Sequence, residues 1–192
     1  MHTDTAPGSS RDPQRWLTRY YALRAAFSFA WVAAAFLLAP RAPAIASVLL
    51  IVYPAWDAFA NGLDAQRSGG LRRNRAQAIN GAVSVATTIA VLIALSRSMH
   101  GVLAVYGAWA ILAGLLQFGA AVQRRRFGAQ WAMMLSGGQS ALAGGFFIFQ
   151  SLQPTMPSIA NVAGYAMVGA VYFLISALWL AVKGLRTQRA LG

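Results

Sequence analysis

The chain has no cysteine and no glutamate, and among its 192 residues the acids are four aspartates against 16 basic residues. Without cysteine there is no disulfide, no thiolate nucleophile and no Cys-ligated metal. The aspartates, Asp4, Asp12, Asp57 and Asp64, do not form a zinc or paired-carboxylate set, so neither a metal nor a cofactor is expected. Histidine is also scarce: His2 lies in a polar N-terminal stretch and His100 between two apolar runs, which leaves no base to activate a serine. Gly69 and Gly70 lack the Lys-Ser or Lys-Thr of a phosphate loop. These gaps argue against an enzyme. Charged residues make up only 10% of the chain, where a soluble domain carries about 25%, so an ordinary soluble fold is excluded as well.

Hydrophobic residues, at 58%, take up the difference. Apolar runs long enough to span a bilayer, roughly 20 residues each, are predicted at Tyr20–Ala39, Pro43–Gly62, Ala76–Leu95, Val102–Val122, Ala129–Leu152 and Ile159–Val182. The expected fold is therefore all-α and polytopic, with six transmembrane helices over residues 16–185. Residues 1–15 are expected to be a flexible tail without signal-peptide character, and 186–192 a second tail. Arg15, Trp16, Arg19 and Tyr20 make a basic-aromatic collar of the kind found at headgroup level.

Charge placement supports the same count. Thirteen of the 16 basic residues fall in the N-terminal segment, the second and fourth connectors and the C-terminal tail; Arg41 and Arg97 fall on the alternate side, and Arg24 lies within the first span. Basic residues collect on the cytoplasmic side, so both termini are expected inside, in a bacterial inner membrane. Short basic groups flanking apolar spans, without interleaved aromatic platforms, exclude nucleic acid as a partner. The partner they imply is the bilayer itself, through anionic headgroups at the cytoplasmic face.

The chain also resembles itself. An offset of 53 residues brings Val52, Tyr53, Ala55 and Trp56 onto Val105, Tyr106, Ala108 and Trp109, and Arg72 and Arg73 onto Arg125 and Arg126. An offset of 114 brings Pro40, Pro43, Ile45 and Ala46 onto Pro154, Pro157, Ile159 and Ala160. One helical hairpin used three times, over about 20–62, 76–122 and 129–182, accounts for both. With its Tyr-Gly-Ala-Trp-Ala-Ile-Leu-Ala-Gly run at Tyr106–Gly114 and its Gly-rich Leu135–Gly145, the chain resembles the HdeD-like short-repeat membrane proteins, most clearly over residues 100–182. That resemblance implies a non-enzymatic inner-membrane protein linked to stress or acid resistance. Ala30, Ala34 and Ala35 in the first span, and Pro54 and Asp57 in the second, depart from the family pattern.

Because lipid tails are as apolar as leucine, helices in a bilayer associate through small residues and polar contacts. Gly137, Ala141 and Gly145, with Gly144 alongside, predict a groove on the fifth helix; Gly107 and Gly114 on the fourth and Gly164 on the sixth offer partners. Packing inside the bundle is the first use of these faces, and a homo-oligomer the second.

Charges within a span cost about 2.5–3.5 kcal/mol even on lenient scales. Arg24 and Asp57 are expected to pair close to the cytoplasmic side, with Asn61 and Asp64 on the same face as Asp57 at spacings of four and seven. Asn80 and Gln117 fall at similar depth, and Gln139 near mid-membrane. Pro54 cannot donate to the carbonyl of Leu50, one turn before Asp57. A broken helix beside an intramembrane carboxylate is also a feature of transporters. Two functions follow: a stress-related structural membrane component, or a small transporter or channel using this polar cluster. A dry, packed pair favours the first and a crevice reaching Asp57 the second.

Overall fold

In the computed structural model, described over residues 11–67, 69–123 and 130–189, the chain forms six long helices and no strand among those residues. They are α1 (Arg11–Leu37), α2 (Pro43–Arg67), α3 (Arg75–Leu95), α4 (Met99–Gln123), α5 (Gln130–Ser151) and α6 (Ile159–Arg189), with a 3-10 turn at Ala39–Arg41. All six are long and apolar enough to cross a membrane. Two expected boundaries move. Residues 11–15, expected in the flexible tail, are the first turn of α1, where Pro13 forfeits an N–H that has no intrahelical partner in any case. α6 likewise runs on to Arg189 through residues expected in the C-terminal tail. Residues 1–10 lie outside the described part.

The tightest pair is α4 with α5. A Cβ on Gly144 would stand 2.5 Å from the Gly107 carbonyl oxygen, and one on Gly114 would stand 2.6 Å from that of Gly137, so the two backbones touch at both levels. The close positions on each helix are seven apart, with Ala141 between them on α5: its backbone nitrogen lies 2.7 Å from a Cβ on Gly114. Gly145 was expected in this groove and is not in it. One residue past Gly144 is about 100° further round the helix, and nothing lies within 4 Å of a Cβ there. Gly164 is similarly open and packs no neighbour.

The next closest pair is α1 with α6, the two ends of the chain. Ala25, Ser28, Val32 and Ala35 on α1, and Ala163, Ala166, Ala170 and Ala177 on α6, are buried at heptad-like spacings. Such small residues let antiparallel helices approach closely along one seam. The helix pairs α2/α3 and α3/α4 also share long faces. By contrast α1 and α2, and α5 and α6, which belong to the expected hairpins 20–62 and 129–182, touch far less. Two of the chain-adjacent pairs thus stand apart, and the first and last helices close the bundle against each other.

Helix ends alternate, so the α2–α3 turn, with Arg67, Arg72, Arg73 and Arg75, marks one end of the bundle, here called the basic end. Gly69 and Gly70 make that turn at φ of +101° and +92°, a region that side chains with a Cβ disfavour. Toward the opposite end the bundle is filled by a core that includes Trp31, Leu50, Tyr53, Val91, Leu103, Tyr106, Phe147 and Val162. Pro54 is accommodated there. α2 continues through it, and the Leu50 carbonyl it leaves without a helical donor accepts a 2.6 Å hydrogen bond from the buried Tyr106 hydroxyl of α4. The neighbouring Leu49 carbonyl accepts from Trp31 Nε1 of α1 at 2.8 Å. Two rings from flanking helices therefore support α2 where its own ladder is interrupted.

Candidate functional site

Between this core and the basic end the six helices surround a cavity of about 1280 Å³. Its lining runs from Trp16, Arg67, Asn74 and Gln77 at the basic end to Tyr53, Trp109 and Phe147 at the edge of the core. Arg24, Asp57, Asn61, Asp64, Asn80, Gln117 and Gln139, the polar residues expected inside the membrane, all line it. The structure thus brings the whole expected cluster onto one surface.

Asp57 is the hub. Arg24 pairs with its Oδ1 across the gap between α1 and α2, and the two side chains are 14% and 9% exposed. Its Oδ2 accepts from Asn61 Nδ2 at 2.8 Å and from Ser84 Oγ at 2.7 Å. Ser84 in turn accepts from Trp109 Nε1 at 3.0 Å. On the other side Arg24 donates to the Tyr20 hydroxyl at 3.0 Å and lies 4.3 Å from the centre of the Phe173 ring of α6. One charge pair therefore joins α1, α2, α3, α4 and α6. A carboxylate with three donors and a guanidinium between a carboxylate and aromatic faces satisfy the requirement that a buried charge be paired and hydrogen-bonded.

Nearer the basic end Asp64 accepts from Trp16 Nε1 and Gln77 Nε2, each at 3.2 Å, and the guanidinium of Arg67 lies 5.1 Å from the Trp16 ring centre. On the far wall Gln117 donates to the Met133 carbonyl at 3.3 Å. Gln139 accepts from the Tyr172 hydroxyl at 2.5 Å, and Ser140 shares a 2.7 Å hydrogen bond with Tyr165 while donating to the Ala110 carbonyl at 3.0 Å. Gln139 thus links α5 to α6 as well as facing the cavity. Asn80 differs from the others, since its buried Oδ1 has no hydrogen-bond partner, as is also true of Trp56 Nε1.

Ser84, Trp109 and Tyr20 belong to the site although their polarity did not single them out in the sequence. Serine and threonine occur throughout these spans and usually bond to their own helix, as Thr87 and Thr88 do to Val83 and Ser84. No pattern in the sequence marks Ser84, which is completely buried on the helix that follows α2. No group of three or more metal-ligating side chains occurs among the described residues. In chemical terms the site is an aromatic-walled chamber of mixed polar and apolar lining with a neutralised charge pair in its wall. Comparison with protein families, curated proteins and solved structures finds no match to this chain.

Proposed function

We propose that this is a non-enzymatic inner-membrane protein that binds and moves a ligand through its central cavity, the basic end facing the cytoplasm. The observation that carries this reading is the chamber of about 1280 Å³ that reaches Asp57 from the basic end and stops at a packed core. A structural component gains nothing from leaving such a volume unfilled, because each void forfeits packing contacts. A carrier open on one side needs both the chamber and the plug. The Arg24–Asp57 pair, linked to five of the six helices, is placed to transmit ligand binding to the bundle.

The absence of cysteine makes the test simple. Single Gln77→Cys and Ala113→Cys variants are treated with a membrane-impermeant maleimide in vesicles of either orientation, with lipid-facing Leu92→Cys as control. Maleimide reacts with a hydrated thiolate, so Gln77→Cys and Ala113→Cys should react from the cytoplasmic face alone and Leu92→Cys from neither. Failure of Ala113→Cys to react from either face would sink the reading.

A second reading, stress protection in the manner of the HdeD-like proteins, is favoured by one feature. The connectors at the end opposite the basic one, around residues 38–42, 96–98 and 152–158, carry Arg41 and Arg97 and no carboxylate. An acidified exterior therefore removes no negative charge there. Its test is cell survival at low pH with and without the protein and with Asp57→Asn; survival unchanged on deletion removes it.

A further inference from the structure

The cavity has two seams where adjacent helices stand apart, and they are built differently. Between α1 and α2 the gap is filled by rings: Phe27 stacks on Trp56 with centroids 4.3 Å apart, and Trp31 lies 4.7 Å from Tyr53. Between α5 and α6 the lining is instead Leu142, Ala143, Gly164 and Val168, spanned by the Gln139–Tyr172 and Ser140–Tyr165 hydrogen bonds. Leu142, midway along α5, is 78% exposed while also lining the chamber. A Cβ at Gly164 would meet nothing from a neighbouring helix within 4 Å. The chamber therefore continues through a cleft of small and aliphatic residues to the surface that meets hydrocarbon. Water is not stable there, whereas an alkyl chain is.

The other opening has the opposite character. Arg15, Arg19, Arg67, Arg72, Arg73 and Arg75 are exposed at the basic end, and Arg67 also lines the mouth. Of the carboxylates lining the chamber, Asp64, nearer the mouth, is buried and accepts from Trp16 and Gln77. Deeper in, the Asp57 carboxylate is enclosed by Arg24, Asn61 and Ser84. The charge presented to a visitor is positive.

A path that is apolar and lateral at mid-membrane and cationic and aqueous at one end matches a molecule with both properties. We infer that the ligand is an anionic membrane lipid taken sideways from the bilayer between α5 and α6, its acyl chain in the cleft and its headgroup at the basic mouth. This rests on the reading of the chamber as a ligand site and names the ligand class.

The test titrates the purified full chain in neutral detergent with phosphatidylglycerol and phosphatidylcholine of identical acyl chains and counts retained lipid by native mass spectrometry. Phosphatidylglycerol should be retained at least about fivefold better, the effect of one basic residue near an anionic headgroup. Arg67→Ala should reduce that preference. Val168→Trp or Gly164→Trp, which place bulk in the open cleft, should abolish it while thermal melting shows the bundle intact; Leu92→Trp, on the lipid-facing side of α3, should leave it unchanged. Equal retention of the two lipids, or phosphatidylglycerol retention that survives both cleft variants, overturns the proposal. If Ala113→Cys still reacts with maleimide in that case, the chamber stands and the lipid does not; if Ala113→Cys is inert as well, both fall.

Discussion

The pairs α2/α3 and α4/α5 solve the same packing problem in opposite ways. At the 53-residue offset, Pro54, Asp57 and Asn61 of α2 correspond to Gly107, Ala110 and Gly114 of α4, and Ser84, Thr87 and Val91 of α3 correspond to Gly137, Ser140 and Gly144 of α5. In α4/α5 the glycines bring the helices into backbone contact, with carbonyl oxygens 2.5–2.8 Å from where Cβ atoms would stand. In α2/α3 the same positions carry a carboxylate, an amide and a hydroxyl, which meet through hydrogen bonds of 2.7–2.8 Å. There a Cβ on Gly81, facing Ala58, would sit at an ordinary 3.6 Å. Glycine contributes dispersion along the whole contact and leaves no room for chemistry. Polar side chains hold their helices further apart and put charge on the chamber wall. One interface is held by backbone contact and the other by hydrogen bonds around a buried carboxylate.

Asp57→Leu tests this difference most severely. It leaves Arg24, whose side chain is only 14% exposed, without its counter-ion, and breaking a buried pair from one side costs about 3–5 kcal/mol. The expected result is a large fall in the melting temperature of the detergent-solubilised protein or loss of expression. The exchange Arg24→Asp with Asp57→Arg should recover only part of this, because Asn61 and Ser84 donate to the carboxylate at position 57 and an arginine there offers them no acceptor. Full recovery would mean that their hydrogen bonds contribute nothing.

Gly144→Leu is the matching test of the scaffold. With the Gly107 carbonyl and the Ile111 amide nitrogen in the way, α4 and α5 must separate, at a cost of about 3 kcal/mol as for severe overpacking. Thermal melting reads the loss, and Gly145→Leu, one residue away and in open space, should be close to neutral. Similar losses from both variants would contradict the seven-residue seam.

A smaller effect is expected from Tyr106→Phe, which removes the donor to the Leu50 carbonyl and leaves a buried acceptor unsatisfied, at about 1–3 kcal/mol. Restoring the N–H at position 54 with Pro54→Ala should suppress that loss in the double variant, since α2 can then satisfy Leu50 itself. Additive losses would show that the hydroxyl does not act as the cap. A comparable loss is expected from Ser84→Ala, which removes one hydrogen bond to the Asp57 carboxylate and strands Trp109 Nε1. Thermal melting should show about 1–3 kcal/mol, and Ser84→Gly, the residue found at position 137, should cost at least as much despite resembling the scaffold pair.

Much of the site could be read from the chain because charge inside a bilayer requires compensation whatever the fold. Arg24 and Asp57 had few alternatives to each other, and Asn61 and Asp64 followed from helical spacing. Gly107, Gly114, Gly137 and Gly144 were legible because close backbone approach needs the absence of a side chain. Gly145 and Gly164 looked equivalent in the sequence, since composition does not say which way a helix is turned. In a soluble helix the polar face would supply that rotation; in a bilayer the lipid and the protein interior are equally apolar and the pattern is weak.

The sequence by itself determined six membrane-length helices, their alternating basic ends and the need for an Arg–Asp pair. Each follows from a local requirement: hydrocarbon thickness, charge asymmetry and desolvation. The tertiary structure alone decided that α1 closes against α6, that Ser84 and Trp109 complete the Asp57 network, and that Tyr106 caps the carbonyl released by Pro54. It also decided that a chamber is left between core and basic end. These depend on the rotation and spacing of helices distant in the chain, set by which small-residue faces can meet, and no local pattern encodes that choice.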